Sequence, residues 1–211
     1  MKPPILGGEK RLEMMGGEFC GNAARSFGRY IAKKKHCKEA VIEISGSKKP
    51  MTIAVQENGW AKAYMPLPQE LRTLTAGDAH YPMVCLDGIS HVIVENETPK
   101  EEQINKILQA VQKDSNPEAA GVLYLNRKSG SMVPIVWVRE LDSLVWENSC
   151  GSGSVAAATF LTRDKADGSY RMLLHQPKGD IEVELLKEWG KISSVSINGL
   201  VRITEEMEIE I

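Results

Sequence analysis

Two stretches decide the fold of this chain: GGEFCGNAARSFGRYIA, residues 16–32, and WENSCGSGSVAAATFLT, residues 146–162. Each carries a cysteine, Cys20 or Cys150, then a glycine, a short polar residue and an alanine-rich amphipathic run. Downstream of each comes a strand-like segment, AVIEIS from Ala40 and YRMLLHQ from Tyr170. A tryptophan in a turn context follows, Asn58-Gly59-Trp60 in one case and Glu188-Trp189-Gly190 in the other. This ordered recurrence reads as an internal repeat of a half-domain, each copy placing one cysteine at the start of a helix.

Working outward, the first helix is expected from Asn22 to Lys35, with Ala23, Phe27, Tyr30 and Ile31 at helical spacing and no proline. Strands are expected at residues 40–45, 51–56 and 61–66, after a less definite one around 11–15. The proline-bearing segment 67–82 reads as a connection between halves. Beyond it, residues 83–86 and 91–95 read as strands. Thr98 is expected to cap a second helix, with Pro99 in its first position, Glu101 closing a capping box, and Ile104, Ile107, Leu108 and Val111 as its buried stripe. Residues 121–125 and 133–139 follow as strands. After Cys150 and its helix to Leu161, strands are expected at 171–175, 181–186 and 192–197, then a last segment at 200–204 before an acidic tail. The order is α+β, with three helices and many strands. Residues 83–149 precede Cys150 within its half but only 1–19 precede Cys20, so either the first half is shortened at its N-terminus or the chain is a fragment or starts at an internal Met.

The 211 residues permit a sizeable core, and 42% hydrophobic residues with a net charge of −2 describe an ordinary globular chain. That balance lacks the basic excess of a nucleic-acid or anionic-membrane binder. The basic cluster Lys33-Lys34-Lys35-His36 falls at a helix end, where cations complement the dipole. No stretch reaches membrane-spanning length, residues 1–15 lack the apolar core expected of a signal peptide, and the four cysteines (20, 37, 85 and 150) lack the spacing of a zinc site or a disulfide framework. The expected compartment is the reducing cytoplasm, with free thiols. Cys37 and Cys85 read as small buried hydrophobes.

Cys20 and Cys150 read as chemistry. Removing the α-proton of an amino acid without a cofactor requires a base on one face of the carbon and an acid on the other. A thiol at a helix N-terminus has its pKa lowered by the backbone N–H groups, which also hold the substrate carboxylate. Gly21 and Gly151 permit close approach, and Asn22 and Ser152 add polar groups at the first turn. His91 reads first as a satisfied structural histidine and second as a residue facing the site. Glu18 and Glu147 are near enough in sequence to tune the thiols, although solvated loop carboxylates are the default. GSGS at 151–154 lacks the Gly-Lys-Ser/Thr of a phosphate loop, and no G-x-S-x-G elbow supports a serine hydrolase.

EFCGNAAR (18–25), ENSCGSGS (147–154), DGISHVIV (87–94) and VSINGLVRITEE (195–206) together resemble the diaminopimelate epimerase family of two-cysteine amino-acid racemases and epimerases. The resemblance implies two pseudo-symmetric halves, each a β-barrel-like sheet around a central helix. One half would be residues 1–70, rejoined by 199–211, and the other residues 78–198. It also implies catalysis by Cys20 and Cys150 with no cofactor and no metal, an amino-acid substrate held between the halves, and a homodimer. Departures occur where the family reads the distal end of its substrate: Ile89 replaces an Asn, Leu141 and Asp142 stand where Glu-Arg falls, and Ala119 or Ala120 takes another Asn position. A lost polar reader implies a different amino acid. The pattern MMGGEFCGNA with ENSCGSGS is similar to that of the histidine racemases of opine-type metallophore biosynthesis. The competing readings are a diaminopimelate epimerase of lysine biosynthesis and a truncated, non-catalytic relative.

Overall fold

A computed structural model describes residues 2–204. Thirteen strands and three helices follow the chain in the order β1 (Lys10–Leu12), α1 (Gly21–Lys35), β2 (Glu39–Ile44), β3 (Met51–Val55), β4 (Trp60–Tyr64), β5 (Glu70–Ala76), β6 (Ala79–Cys85), β7 (Ile89–Glu95), α2 (Glu101–Asp114), β8 (Ala119–Asn126), β9 (Ser131–Val138), β10 (Ser143–Trp146), α3 (Gly151–Thr162), β11 (Gly168–Gln176), β12 (Gly179–Glu188) and β13 (Lys191–Leu200). The α+β expectation holds: strands predominate and the helices are few.

The strands hydrogen-bond in one path, β1-β2-β3-β4-β13-β12-β11-β9-β8-β7-β6-β5, with β10 attached to β9. Most neighbours are antiparallel; β1 with β2, β7 with β8, and the single pair His175–Ser131 joining β11 to β9 are parallel. Strand β13 joins two regions of this path, pairing with β12 through Glu182–Asn198 and with β4 through Gly199–Ala61. Residues 196–200 of β13 thus lie beside β4, while residues 205–211, with the acidic tail, lie outside the described residues.

Side-chain alternation along the strands builds three cores. Helix α1 packs Ala24, Phe27, Ile31 and Ala32 onto Ile42, Ile44, Ile53, Ala61 and Ala63 of β2–β4. Its buried stripe is rotated slightly from the expected one: Ala23 and Tyr30 are half-buried, and Gly28 takes the closest approach, where a Cβ would lie 2.4 Å from Ile53 Cβ. Helix α2 buries the four expected residues against one face of β5–β9, including Val92, Val94, Val122 and Tyr124. Helix α3 occupies the other face, against Ile93, Leu123 and Leu125 and the inner residues of β11–β13. With both faces covered, β8 is buried over seven consecutive residues.

Helix α3 departs from the expected amphipathic run. Ten of its twelve residues are buried, so no polar face remains. Its C-terminal carbonyls are met by the buried amine of Lys187, which donates to Thr162 O, Arg163 O and Lys165 O at 3.2, 2.9 and 2.7 Å.

Other sequence expectations need correction. Segment 67–82 is not a bare connection but supplies β5 and most of β6. Pro82 is accommodated opposite Thr73 of the edge strand β5, before the β6–β7 ladder begins at Met83. Thr98 does not cap α2: the N-cap is Lys100, without a side-chain cap hydrogen bond, and Glu101 and Glu102 complement the dipole instead. Cys37 is exposed rather than buried, and Cys85 is half-buried. Of segment 200–204, only Leu200 lies in a strand, and β10 was not anticipated.

Candidate active site

The loop ahead of Cys20 is held by two buried side chains of the β2 region. The Glu43 carboxylate accepts from the amides of Ile5, Leu6 and Gly8 at 2.7–2.9 Å. Ser45 Oγ accepts from Met14 N at 2.9 Å and donates to Glu18 O at 3.0 Å. These bonds deliver Cys20 in an extended conformation to the first turn of α1, where it is the N-cap: its Sγ accepts from Ala23 N at 3.5 Å.

Cys150 repeats that arrangement at the head of α3. It too is extended, and its Sγ accepts from Gly153 N at 3.3 Å. Its backbone is further locked by Gln176, whose Oε1 accepts from Cys150 N at 2.7 Å while its Nε2 donates to Ser154 Oγ at 3.1 Å; Ser154 Oγ in turn donates to Cys150 O at 2.7 Å. Both cysteines line one cleft of about 650 Å³. Gly21, Asn22, Gly151 and Ser152 line it as well, so all six residues singled out from the sequence converge on one cavity.

The two helix starts touch. A Cβ on Gly21 would lie 3.0 Å from Ile197 Cδ1, and one on Gly151 would lie 2.9 Å from the same carbon. A side chain at either position would therefore have to displace the Ile197 methyl, and at Gly21 the end of Met65 as well. Asn22 bridges the two loops, its Nδ2 donating to Ser149 O at 3.0 Å and to Ser149 Oγ at 3.2 Å.

Ser152 has a partner of its own. Its hydroxyl lies 2.9 Å from His91 Nε2 and 3.5 Å from Cys150 Sγ. His91 is fully buried, and burial holds its pKa down at about 3, so the ring is neutral. Its Nδ1 has no partner, and Gly121 makes room for it: a Cβ there would lie 2.1 Å from Nδ1. A proton on Nε2 leaves no orphan N–H donor; in that tautomer His91 donates to Ser152, whose own hydrogen is free to point at Cys150 Sγ. His91 thus reaches the site through Ser152.

The thiols do not behave as their position at helix N-termini suggested. Burial pushes the Cys20 thiol up, outweighing the downward pull of the Ala23 amide. Burial raises Cys150 further, and the Glu147 carboxylate adds to the rise. Glu147 is itself raised by burial, so it is no solvated loop carboxylate; its hydrogen bond with Cys150 opposes that rise. Dehydration of the sulfurs therefore exceeds the helix-terminus effect. The cleft wall is acidic, with Glu18, Asp87, Glu118, Glu140 and Glu147 against Lys48 and Arg139. Among the described residues, no group of three or more His, Cys, Asp or Glu side chains could hold a metal ion, and no helix is long and apolar enough to cross a membrane.

Sequence reasoning missed Gln176 and Arg25. Gln176 closes β11 far from both motifs, and nothing local marks it. Arg25 lies within EFCGNAAR, one helical turn beyond Asn22, a spacing that puts both on one face of α1.

Comparison with known proteins places the chain in a family. The family described as the histidine racemase CntK N-terminal domain matches residues 5–209. A histidine racemase of Fusobacterium nucleatum is 33% identical over 215 aligned positions, covering 96% of this chain and 79% of that protein. One from Staphylococcus aureus is 24% identical over 186 positions, covering 84% and 68% respectively. Among solved structures, a Pseudomonas aeruginosa protein described as a predicted epimerase is similar with a TM-score of 0.62 at 13% identity, covering 90% of this chain and 74% of that one. A hydroxyproline epimerase from Agrobacterium vitis is similar with a TM-score of 0.56 at 12% identity, covering 84% and 61%. At such identities these two likenesses concern the fold alone. Family match and sequence relatives agree, and the chain belongs to the histidine racemase family.

Proposed function

We propose that this chain is an amino-acid racemase that uses Cys20 and Cys150 as its two acid–base groups, without pyridoxal phosphate, and that its substrate is histidine. The observation that carries the reading is the convergence of two cysteine-capped helix starts on one cleft. A substrate whose Cα lies between the sulfurs loses its α-proton to one thiolate, which becomes a thiol. The electron pair stays on Cα and spreads into the carboxylate, and the opposite thiol delivers its proton to the other face, becoming a thiolate. The product is the mirror-image amino acid, and the two sulfurs have exchanged protonation states.

The first-turn amides of Gly21, Gly151 and Ser152 have no intrahelical acceptor and suit the substrate carboxylate, with strength that grows as negative charge builds there. The acidic wall suits an ammonium group and a basic imidazole side chain. The relatives named histidine racemase favour the same substrate. We place the product in metallophore biosynthesis in the cytoplasm, and the active form as a homodimer. We also read the molecule as two pseudo-symmetric halves, 1–70 with 199–211 around α1 and 78–198 around α3. The support is the parallel order of helix and three strands after each cysteine, α1-β2-β3-β4 and α3-β11-β12-β13.

The test is L-histidine in heavy water, followed by chiral chromatography and mass spectrometry. Deuterium at Cα should appear together with D-histidine, and Cys20→Ser or Cys150→Ser should each cut formation of the D-enantiomer by roughly 10²–10⁴-fold. Near-normal racemisation after either substitution would refute the two-thiol mechanism. A panel of other L-amino acids, including LL-diaminopimelate, decides the substrate.

A further inference from the structure

The peptide group between Ser149 and Cys150 is gripped at both ends by side chains from distant parts of the chain. Its carbonyl, Ser149 O, accepts from Asn22 Nδ2 of α1 at 3.0 Å. Its N–H, on Cys150, donates to Oε1 of Gln176, the last residue of β11, at 2.7 Å. Rotation of that peptide plane would break both bonds. Its setting, and with it the direction in which Cys150 projects its sulfur, is therefore fixed from α1 on one side and from β11 on the other. Gln176 completes the hold: it is 9% exposed, and its Nε2 donates to Ser154 Oγ at 3.1 Å, whose hydroxyl donates to Cys150 O at 2.7 Å. Every backbone polar group from Ser149 O to Cys150 O thus has a side-chain partner.

The side chain of Asn22 is occupied by this grip. Its Nδ2 donates to Ser149 O and to Ser149 Oγ, the latter at 3.2 Å, and its Oδ1 accepts from Arg25 Nη2 at 2.7 Å. A guanidinium can only donate, so the bond from Arg25 decides which way round the amide sits, oxygen toward Arg25 and nitrogen toward Ser149. We propose that Asn22 and Gln176 are positioning residues that aim Cys150 at the cleft, and that the Asn22 side chain serves this purpose instead of binding substrate. The motif around Cys20 then contains one sulfur and also the part that sets where the other sulfur stands. The inference rests on the two-thiol reading and adds to it the means by which the second sulfur is held in place.

Asn22→Ala and Gln176→Leu, made singly and together and checked for folding by circular dichroism, test the proposal through two readouts. In histidine racemisation each single variant should lower kcat by about 10–100-fold while KM changes by less than about threefold. The double variant should fall little further, because either change already frees the same peptide. A raised KM with unchanged kcat in Asn22→Ala would mark its amide as a substrate ligand and overturn the proposal, as would kcat losses that multiply in the double variant. The second readout needs no turnover: alkylation by iodoacetamide, with each thiol followed by peptide mass spectrometry. Asn22→Ala should speed the reaction of Cys150 by at least about fivefold, the scale of one lost hydrogen bond, while Cys20, two residues from the change, shifts by less than about twofold. Unchanged Cys150 reactivity in both folded variants would refute the positioning role whatever the activity. Racemisation that persists in the cysteine variants bears on the two-thiol reading alone and leaves the alkylation result standing.

Discussion

The heads of α1 and α3 share one device and differ in everything behind it. In both, an extended cysteine caps the helix by accepting an amide proton three residues on. Behind Cys20, the helix lies on a small sheet region with one face in water, ending in Lys33, Lys34 and Lys35. Behind Cys150, the helix is sealed between strands, with Val155 to Ala158 wholly buried. The cap geometry therefore follows from the local motif, while the electrostatic environment of each sulfur follows from tertiary packing. Paired motifs can carry unequal partners.

The largest effect that would test this pairing is loss of either sulfur. Cys20→Ser and Cys150→Ser should each reduce histidine racemisation by roughly 10²–10⁴-fold, measured by chiral chromatography. Near-normal activity in one of them would mean that the two helix heads are not a functional pair. Next comes the difference in burial. Phe160→Ala in α3 should cost about 3–5 kcal/mol in urea unfolding, whereas Tyr30→Ala on the half-exposed side of α1 should cost about 1 kcal/mol. Similar losses would show that the two helices are equally embedded.

Gly121→Ala sharpens the comparison from the Cys150 side alone. Its new methyl collides with His91, and the expected outcome is destabilisation of about 1–3 kcal/mol together with slower alkylation of Cys150, while Cys20 is unaffected. The pH dependence is smaller per unit. Because burial raises both thiols, the form with one thiolate becomes more populated as pH rises, so kcat/KM should climb by up to tenfold per unit from pH 6 toward 8. A flat profile in that window would place the active thiolate below its ordinary range. Thr98→Ala supplies the smallest effect: α2 has no side-chain cap to lose, so its thermal midpoint should change by no more than about 0.5 kcal/mol equivalent.

Much of this was legible in the sequence where a local signal exists. Helical periodicity located α1 and α2, and the four-residue stripe of α2 is buried as read, because one face of a helix is visible in spacing alone. The six cleft residues were legible because they are contiguous with the cysteines. Capping at Thr98 failed because the helix begins two residues later than its box pattern implies. Segment 67–82 was misread because prolines suggest loops, and an edge-side position that tolerates Pro82 cannot be recognised without the neighbouring strand. Arg25, Gln176 and the His91–Ser152 link are long-range: each draws its role from residues brought together by β13, β11 or β7. The lowered thiol pKa values expected from helix termini were reversed by a depth of burial that local sequence does not encode.

Ile197 has a consequence of a different kind. One of its terminal carbons fills the space beside both Gly21 and Gly151, so the gap between the two helix heads is gauged by a hydrocarbon contact. Ionic strength acts on charges and leaves such a contact almost untouched. Added salt should therefore leave the spacing between the two helix heads constant.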